Sequence, residues 1–593
     1  MDGGTDQGPV LGVARSAMGR RWIWRQAEAR TGLGIAQRLG LPELVGRLLA
    51  ARGVGIEQAQ DFLDPTLRAL LPDPSVLRDM DAAAARLADA VQRAESVAVF
   101  GDYDVDGACS GALMVRLLRE LGCRVAHYVP DRLAEGYGPN AGAISTLCDR
   151  GATLIVTVDC GIAAEAPLAV AHNRADVVIL DHHKAEGALP RVHAAVNPNR
   201  LDCDSGLKTL CAAGVAFLAA VATVRELRRR GHFAARPEPD LRLFLDLVAL
   251  ATVCDVMPLT GVNRALVAQG LKVMARRERA GIAALLEVAQ AKDAPSAHTL
   301  GFMLGPRINA SGRIHESDLG LRLLVEDDPI EARAMAEMLD TVNKRRQEVE
   351  ADVLTAAFEA AQKQADRGHP VILVTGEGWH PGVVGIVAGR IKEKFNRPAC
   401  VAGLVAGLAK GSGRSVAGVD LGSAIIAARQ LGLLETGGGH PMAAGFSFLA
   451  GREGEVHAFL DERLAHAATL PSSADLAVEG SLAVQGATVE MAQQVARLAP
   501  FGAGNEEPVF VVNRARVVRA DRVGKEGNTV RAFLEGEGGG GRLKAICFRA
   551  KEGPLAQALL GGGHLHLAGH LRAETWNDNV SVGLHVVDAA PVG

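Results

Sequence analysis

The sequence predicts a multidomain α/β protein: a doubly wound parallel sheet, a long helix, a second α/β unit and a small C-terminal β-barrel. Three observations carry this expectation. From residue 96 to about 200, short apolar runs alternate with helical patterns, as strand–helix–strand units of a parallel sheet do. Residues 329–366 contain no Gly and no Pro after Pro329, and are rich in Ala, Glu, Lys, Arg and Gln, all good helix formers. Residues 508–593 alternate in β fashion between turn sequences, the pattern of a small barrel.

Taken in order, residues 1–20 are Gly-rich and expected to fray. Residues 35–95 read as helices broken at Pro42, Pro65, Pro72 and Pro74. Strands are expected at Ser96–Phe100, Thr153–Val158 and Asp176–Leu180, with helices at Ser110–Leu121 and Ala163–Asn173. Residues 206–325 are mainly helical and include the apolar run Leu243–Val253. Pro329 suits a helix start, where its missing N–H costs little. Gly368 and Pro370 stop that helix, which is most simply a connector. Residues 371–448 form the second α/β unit, with a strand at 371–375 and a helix at Val383–Phe395. Residues 470–505 are a mixed connection. Five or so short strands follow, with turns at Glu526-Gly527-Asn528, Gly538–Gly541, Gly561–Gly563 and Asn577–Asn579. The low-complexity patch Gly536–Gly541 reads as a hairpin loop, and no internal repeat is found.

Composition narrows the function. A chain of 593 residues predicts three or four domains. Aromatics at 4% argue against an aromatic-rich base-stacking groove, and a net charge of −4 excludes a uniformly basic coat. A polyanion site must then be a local patch. The nine cysteines form no CxxC pair and read as reduced cytosolic thiols. No run of about 18 apolar residues predicts a membrane span. Arg15, Arg20 and Arg21 are not followed by the apolar stretch of a secretion signal. The expected location is cytoplasmic.

The chemistry lies where the apolar runs end. Ser96–Phe100 leads into Gly101-Asp102-Tyr103-Asp104-Val105-Asp106-Gly107, Thr153–Val158 into Asp159-Cys160-Gly161, and Asp176–Leu180 into Asp181-His182-His183. Alternate carboxylates on an extended segment share a face and repel unless a cation neutralises them. Read alone, Asp102-x-Asp104-x-Asp106-Gly107 is equally a helix cap with a glycine turn. As an EF-hand loop it fails, since the twelfth position is Leu113 rather than Glu. An Asp with two imidazoles suits Mn²⁺, which accepts both O and N ligands. Asp255 ends a further apolar run and needs a partner if buried. Open α/β sheets bind ligands at the carboxyl ends of their strands, so together these segments predict a polynuclear metal site and hydrolysis at phosphorus.

These segments resemble, in order, the four motifs of the DHH phosphoesterase superfamily and, within it, the RecJ family of single-strand-specific exonucleases. Residues 305–313, 378–388, 411–415, 437–445 and 500–505 agree, so the resemblance covers roughly residues 20 to 590. It implies an N-terminal, partly helical extension (1–75), a DHH catalytic domain (76–328), a connecting helix (329–368), a DHH-associated substrate-binding domain (369–468) and an OB-fold with its preceding connection (469–593). It implies two divalent ions, Mn²⁺ or Mg²⁺. Asp102, Asp104 and Asp159 would hold one. Asp106, His182 and Asp255 would hold the other, with Asp159 bridging. His183 would stand behind the ligands or touch the scissile phosphate. Two such ions lower the pKa of a bound water for in-line attack on the phosphodiester.

By the same resemblance, Arg132, Arg307, Ser412 and Arg414 would capture a terminal 5′-phosphate, while Asn309 and Arg313 lie in family-like motifs. Gly437–His440, including Gly438 and Gly439, reads as a loop whose N–H groups could meet phosphates, or as a plain turn. Residues 371–450 carry seven Lys/Arg against four acids, and residues 511–531 six (514, 516, 519, 522, 525 and 531) against two. The latter fits a basic barrel strand that tracks single strands, or a charged sheet edge. The implied activity is 5′→3′ degradation of single-stranded DNA to 5′-mononucleotides in recombination and repair. The protein would act as a monomer, with a single-strand-binding protein and a helicase as expected partners. A small-substrate DHH phosphoesterase and a non-catalytic single-strand-binding scaffold are the rivals. The long chain and barrel argue against the first, and the intact acids and histidines against the second.

Overall fold

Five parallel strands, β1 (Ser96–Gly101), β2 (Arg124–Tyr128), β3 (Leu154–Val158), β4 (Asp176–Leu180) and β5 (Ala194–Val196), form one sheet in the order β2-β1-β3-β4-β5. The structure is a computed structural model that describes residues 8–592 apart from 133, 186, 472, 525–526, 537–539, 549, 551 and 577–578. The chain divides into two compact units: Glu57–Arg345 with Ala499–Glu506, and Met1–Ile56 with Arg346–Leu498 and Glu507–Gly593.

In the first unit, all five residues of β3 are buried, as expected of a parallel sheet covered on both faces. Val97, Val99, Leu154 and Val156 enter one core, and Ala98, Phe100, Ile155 and Ile179 the other. The helix expected at Ser110–Leu121 is α1, Val105–Glu120, and begins five residues early because Asp104 caps it. The helix expected at Ala163–Asn173 is instead the short Glu165–Leu168 and a 3₁₀ turn, Ala169–Ala171, with Asn173 at φ 62° beyond them. Helices α2 (Ala212–Arg229), α3 (Leu245–Cys254) and α4 (Gly305–Ile314) follow. The long helix α5 spans Pro329–Asp366, as its composition predicts.

The second unit holds β6 (Ile372–Glu377), α6 (Pro381–Phe395), β7 (Ala399–Val405), β8 (Leu408–Arg414), α7 (Leu421–Gln430), β9 (Thr436–His440) and β10 (Ala443–Leu449). Its sheet runs β9-β10-β8-β7-β6, with only β6–β7 parallel. Residues 437–440, read as a loop, are therefore an edge strand. Glycine permits the close approach: a Cβ on Gly439 would lie 2.4 Å from the Ala443 carbonyl oxygen.

The barrel is built from β11 (Phe510–Val523), β12 (Thr529–Glu535), β13 (Arg542–Cys547), β14 (Gly563–Trp576) and β15 (Asn579–Pro591), closed by β14 pairing with β11. Three of its strands are long, at 14, 14 and 13 residues, not short as expected. Register shifts at Val512/Ala515 and Val517/Arg519 accommodate the bend. The helix Pro554–Gly561 between β13 and β14 is not anticipated. Leu133, Lys525, Glu526, Gly538, Gly539, Asn577 and Asp578 lie outside the described residues, as do positions 1–7 of the segment expected to fray. Beyond those the expectation fails: Val10, Val13 and Trp22 pack with Val511, Ala568 and Ala590. The buried Asp588 carboxylate accepts from Ser16 Oγ at 2.6 Å and Trp22 Nε1 at 3.1 Å. Among the described residues, no helix is long and apolar enough to cross a membrane.

Candidate metal centre

The sheet register builds the centre. Gly101, Val158, Leu180 and Val196 are aligned across β1, β3, β4 and β5. The next residues, Asp102, Asp159, Asp181 and Asn197, therefore emerge side by side at the carboxyl edge, and all four are buried. Strand order reverses between β1 and β3, where a doubly wound sheet opens its crevice. Asp102 and Asp159 flank that point.

Asp104 is both cap and candidate ligand: its Oδ1 accepts from the N–H groups of Asp106 and Gly107 at 2.9 and 3.0 Å. Gly107 is required by proximity rather than by a turn, since a Cβ there would fall 2.4 Å from the Asp102 carbonyl oxygen. Asp106 lies one turn on, fully buried, and accepts from Ala212 and Ala213 N–H at 2.6 and 2.8 Å. It thus sits on the N-terminus of α2, where exposed N–H groups favour an anion. Asp159 adopts a left-handed φ of 61°, an uncommon conformation for a residue with a side chain. Asp255 follows the last turn of α3.

These side chains converge. His182 Nε2 stands 3.3 Å from Asp159 Oδ1, 3.6 Å from Asp255 Oδ2 and 3.7 Å from Asp106 Oδ2. Three groups each bring one donor atom per residue within 4.8 Å of one another: Asp102, Asp104 and Asp159; Asp106, His182 and Asp255; and Asp159, His182 and His183. Burial, then the Asp104 charge, pushes the Asp102 carboxyl up to about 7. Burial, then Asp106 and Asp104, pushes Asp255 up to about 8. Burial above all also raises Asp106 and Asp159. Asp102 Oδ1, Asp159 Oδ1 and Asp255 Oδ2 are buried with no hydrogen-bond partner. Crowded carboxylates with orphaned oxygens cost free energy as anions without a counter-charge. Divalent cations with O and N ligands fit this donor set.

Asp181, read from the sequence together with the two histidines as a metal-suited set, instead holds those histidines, and Tyr137, Asn197 and Asn199, which the sequence reading does not single out, help it. Asp181 Oδ1 accepts from the N–H groups of His182 and His183 at 2.7 and 3.1 Å and lies 2.8 Å from His183 Nδ1. Asp181 Oδ2 accepts from Ile162 N–H. Burial opposes a charged His183 ring, but the Asp181 contact prevails and its pKa reaches about 9. Tyr137 Oη lies 3.1 Å from His183 Nδ1 and donates to the Asp159 carbonyl at 3.1 Å. Asn197 and Asn199 donate to the carbonyls of His183 and His182 at 2.8 and 2.6 Å. The signal was present: Ala194–Val196 is another apolar run ending in a polar residue, Asn197.

The expected substrate residues fall into separate settings. Asn309 Oδ1 accepts from Val105 N–H at 3.1 Å and so braces the start of α1. Arg132 lies over the Tyr103 ring at 5.1 Å, and Arg313 stands in the last turn of α4. Arg307 is committed within its own unit, to Asp340 at 3.0 Å and the Met303 carbonyl at 2.6 Å. In the other unit, Ser412, Gly445 and Gly438 form one row of the sheet, and Arg414, Ala443 and His440 another. Ser412, Arg414, Gly438 and His440 thus share a face, and Gly439 belongs to the opposite one. Three of the six basic residues counted in 511–531 are paired with acids: Arg516 with Glu535, and Arg519 and Arg531 with Asp521.

Comparison with known proteins follows the same layout. Residues 96–252 match the DHH family, N-terminal domain, residues 368–466 the DHHA1 domain, and residues 478–588 the RecJ OB domain. The chain is 39% identical over 524 residues to the single-stranded-DNA-specific exonuclease RecJ of Dickeya dadantii, covering 86% of this chain and 89% of that one. RecJ from Thermus thermophilus, solved in complex with Mn²⁺, superposes with a TM-score of 0.79 at 30% identity, covering 95% and 79% of the two chains. Its Mg²⁺ complex gives 0.74 at 29%, covering 96% and 78%. By sequence, domain content and fold, this chain belongs to the RecJ family of DHH proteins.

Proposed function

We propose that this chain is a divalent-metal-dependent exonuclease that degrades single-stranded DNA from the 5′ end to 5′-mononucleotides, in recombination and repair. One observation carries the reading: the aligned strand ends deliver buried acids with orphaned oxygens around His182, in a chain similar to RecJ along nearly its whole length. Asp102, Asp104 and Asp159 would hold one Mn²⁺ or Mg²⁺, and Asp106, His182 and Asp255 a second, with Asp159 between them. Ions bound there supply Lewis-acid activation of water and neutralise charge on the phosphoryl oxygens.

The protein's own groups do the rest. Asp181 and Tyr137 fix the His183 ring at the edge of the centre, poised for a phosphate oxygen. Arg132, at the Tyr103 loop, offers a planar cation suited to bidentate phosphate contact. Within the same unit Arg307 and Arg313 are proposed as further phosphate contacts, with Asn309 as a brace; in the other unit Ser412, Arg414, Gly438 and His440, on one sheet face, are proposed phosphate and backbone contacts by themselves, with Gly439 on the opposite face. In this reading residues 76–328 are the catalytic domain, 329–368 the connecting helix, 369–468 the substrate-binding domain and 469–593 the strand-binding barrel with its connection, behind an extension at 1–75. The enzyme would work as a cytoplasmic monomer on strands exposed by a helicase and coated by a single-strand-binding protein.

The test is a single strand with distinct 5′ and 3′ labels, incubated with Mn²⁺ or with EDTA. Early release of the 5′ label as mononucleotide, in Mn²⁺ only, is expected. Tight binding without release, or turnover of dinucleotides alone, would overturn the proposal.

A further inference from the structure

Aromatic residues make up only 4% of this chain, so a ring left in solvent on a turn packed against the Asp255 end of α3 invites a physical reason. Phe302 is 71% exposed. It lies on a π-helical turn, Thr299–Leu304, that runs directly into α4. Such turns are rare and concentrate at functional sites. The His298 ring stacks on Phe302, with centroids 4.8 Å apart and planes at 27°.

The turn is anchored to the end of α3 that carries Asp255. Cys254 Sγ donates to the Leu300 carbonyl at 3.4 Å. A Cβ on Gly305 would fall 2.4 Å from Cys254 Sγ, and one on Gly301 would fall 3.5 Å from the Val253 side chain. Val256, directly after Asp255, holds a left-handed φ of 58° and is 70% exposed. Between residues 245 and 328, Val256 and Phe302 are the large apolar side chains left exposed. Two side chains fall well short of the roughly 800 Å² per partner of a stable protein interface. The Phe302 ring by itself offers a flat face on the scale of one nucleobase.

We propose that Phe302, backed by His298, is a stacking platform for a base of the bound single strand, beside the metal centre. The proposal rests on the single-strand nuclease reading above. Single strands leave base faces unpaired, and a ring already held by a neighbour loses little freedom when a base settles on it. Stacking of this kind tolerates any base, because each has a π-face. It would position the strand while the acids and histidines carry the hydrolysis, so the platform acts on binding rather than on the chemical step.

The test measures kcat and KM for wild type, Phe302→Ala, Phe302→Leu and Phe302→Trp, on intact strands and on strands with consecutive abasic sites at the 5′ end. Phe302→Ala and Phe302→Leu should raise KM about tenfold on intact strands, with kcat within about twofold. Phe302→Trp should keep the wild-type KM, and its added fluorescence should be quenched by an intact strand bound in EDTA. On abasic strands wild type and Phe302→Ala should have equal KM. An unchanged KM for Phe302→Ala on intact strands would overturn the platform alone, as would a penalty that persists in full on abasic strands. A wild type that neither binds nor cleaves the intact strand would overturn the nuclease reading, and the platform with it.

Discussion

Asp159 Oδ1 and His182 Nε2, from the ends of adjacent strands, meet at 3.3 Å at the carboxyl edge of the parallel sheet. Asp159 belongs to the donor group of Asp102 and Asp104, and His182 to that of Asp106 and Asp255. The pair therefore joins two potential cation sites. Asp159→Ala should lower cleavage by about three orders of magnitude or more, since metal activation is worth several kcal/mol at the transition state. Far-UV circular dichroism should stay unchanged, because the substitution removes a destabilising buried acid. Near-normal turnover in that variant would remove Asp159 from the bridging role.

Stability of the metal-free protein should depend on pH through the same acids. Asp102 and Asp255 have folded pKa values of about 7 and about 8, well above the ordinary aspartate value of about 3.9. Each holds its proton more tightly folded than unfolded, so its contribution is full below about pH 4 and is lost as pH rises through about 7 and 8. Chelator-treated protein should lose Tm as pH rises from about 4 to about 8, and Asp102→Asn should flatten the part of that slope below about pH 7. Mn²⁺ at pH 8 should restore the lost stability by binding the folded state. A slope unchanged by Asp102→Asn would contradict this.

Asp181 is buried, and three of its four side-chain contacts hold His182 and His183, while the fourth, from Ile162 N–H, ties it to the loop after Asp159. Asp181→Asn should reduce kcat about 10–100-fold, the usual cost of losing a group that orients a metal-site histidine. KM for single strands should move far less. An equal rise in KM would mean that the loop itself had collapsed.

Arg414 shares a sheet face with Ser412 and His440. Arg414→Ala should reduce the preference for 5′-phosphate over 5′-hydroxyl ends about tenfold or more, the scale of one charge-assisted contact. Cleavage of 5′-hydroxyl strands should persist. An unchanged end preference would exclude Arg414 from phosphate capture.

The legible parts of this chain were those with local signals. The acids after β1, β3 and β4 stand where apolar runs stop, and a parallel sheet translates that pattern into one edge. Pro329 to Asp366 is helix from end to end because no residue in it opposes helix and Gly368 follows. The illegible parts depend on tertiary context. Residues 437–440 carry a turn-like glycine run, yet pairing with β10 makes them a strand. The segment from Val10 to Trp22 has little periodicity, and only the buried Asp588 shows what holds it to the barrel. The π-helical turn at 299–304 has no composition signal, because it is set by packing against Val253 and Cys254. The positive count on the barrel strand overstated its free charge, because Glu535, just beyond the counted window, neutralises Arg516.

The most direct test of the metal centre is to count bound Mn²⁺ by equilibrium titration with electron paramagnetic resonance. Wild type should bind two ions with the spectrum of an exchange-coupled pair, and Asp159→Ala should lose the coupling while remaining folded. Wild type binding no Mn²⁺, or Asp159→Ala retaining a coupled pair, would contradict a centre joined through Asp159.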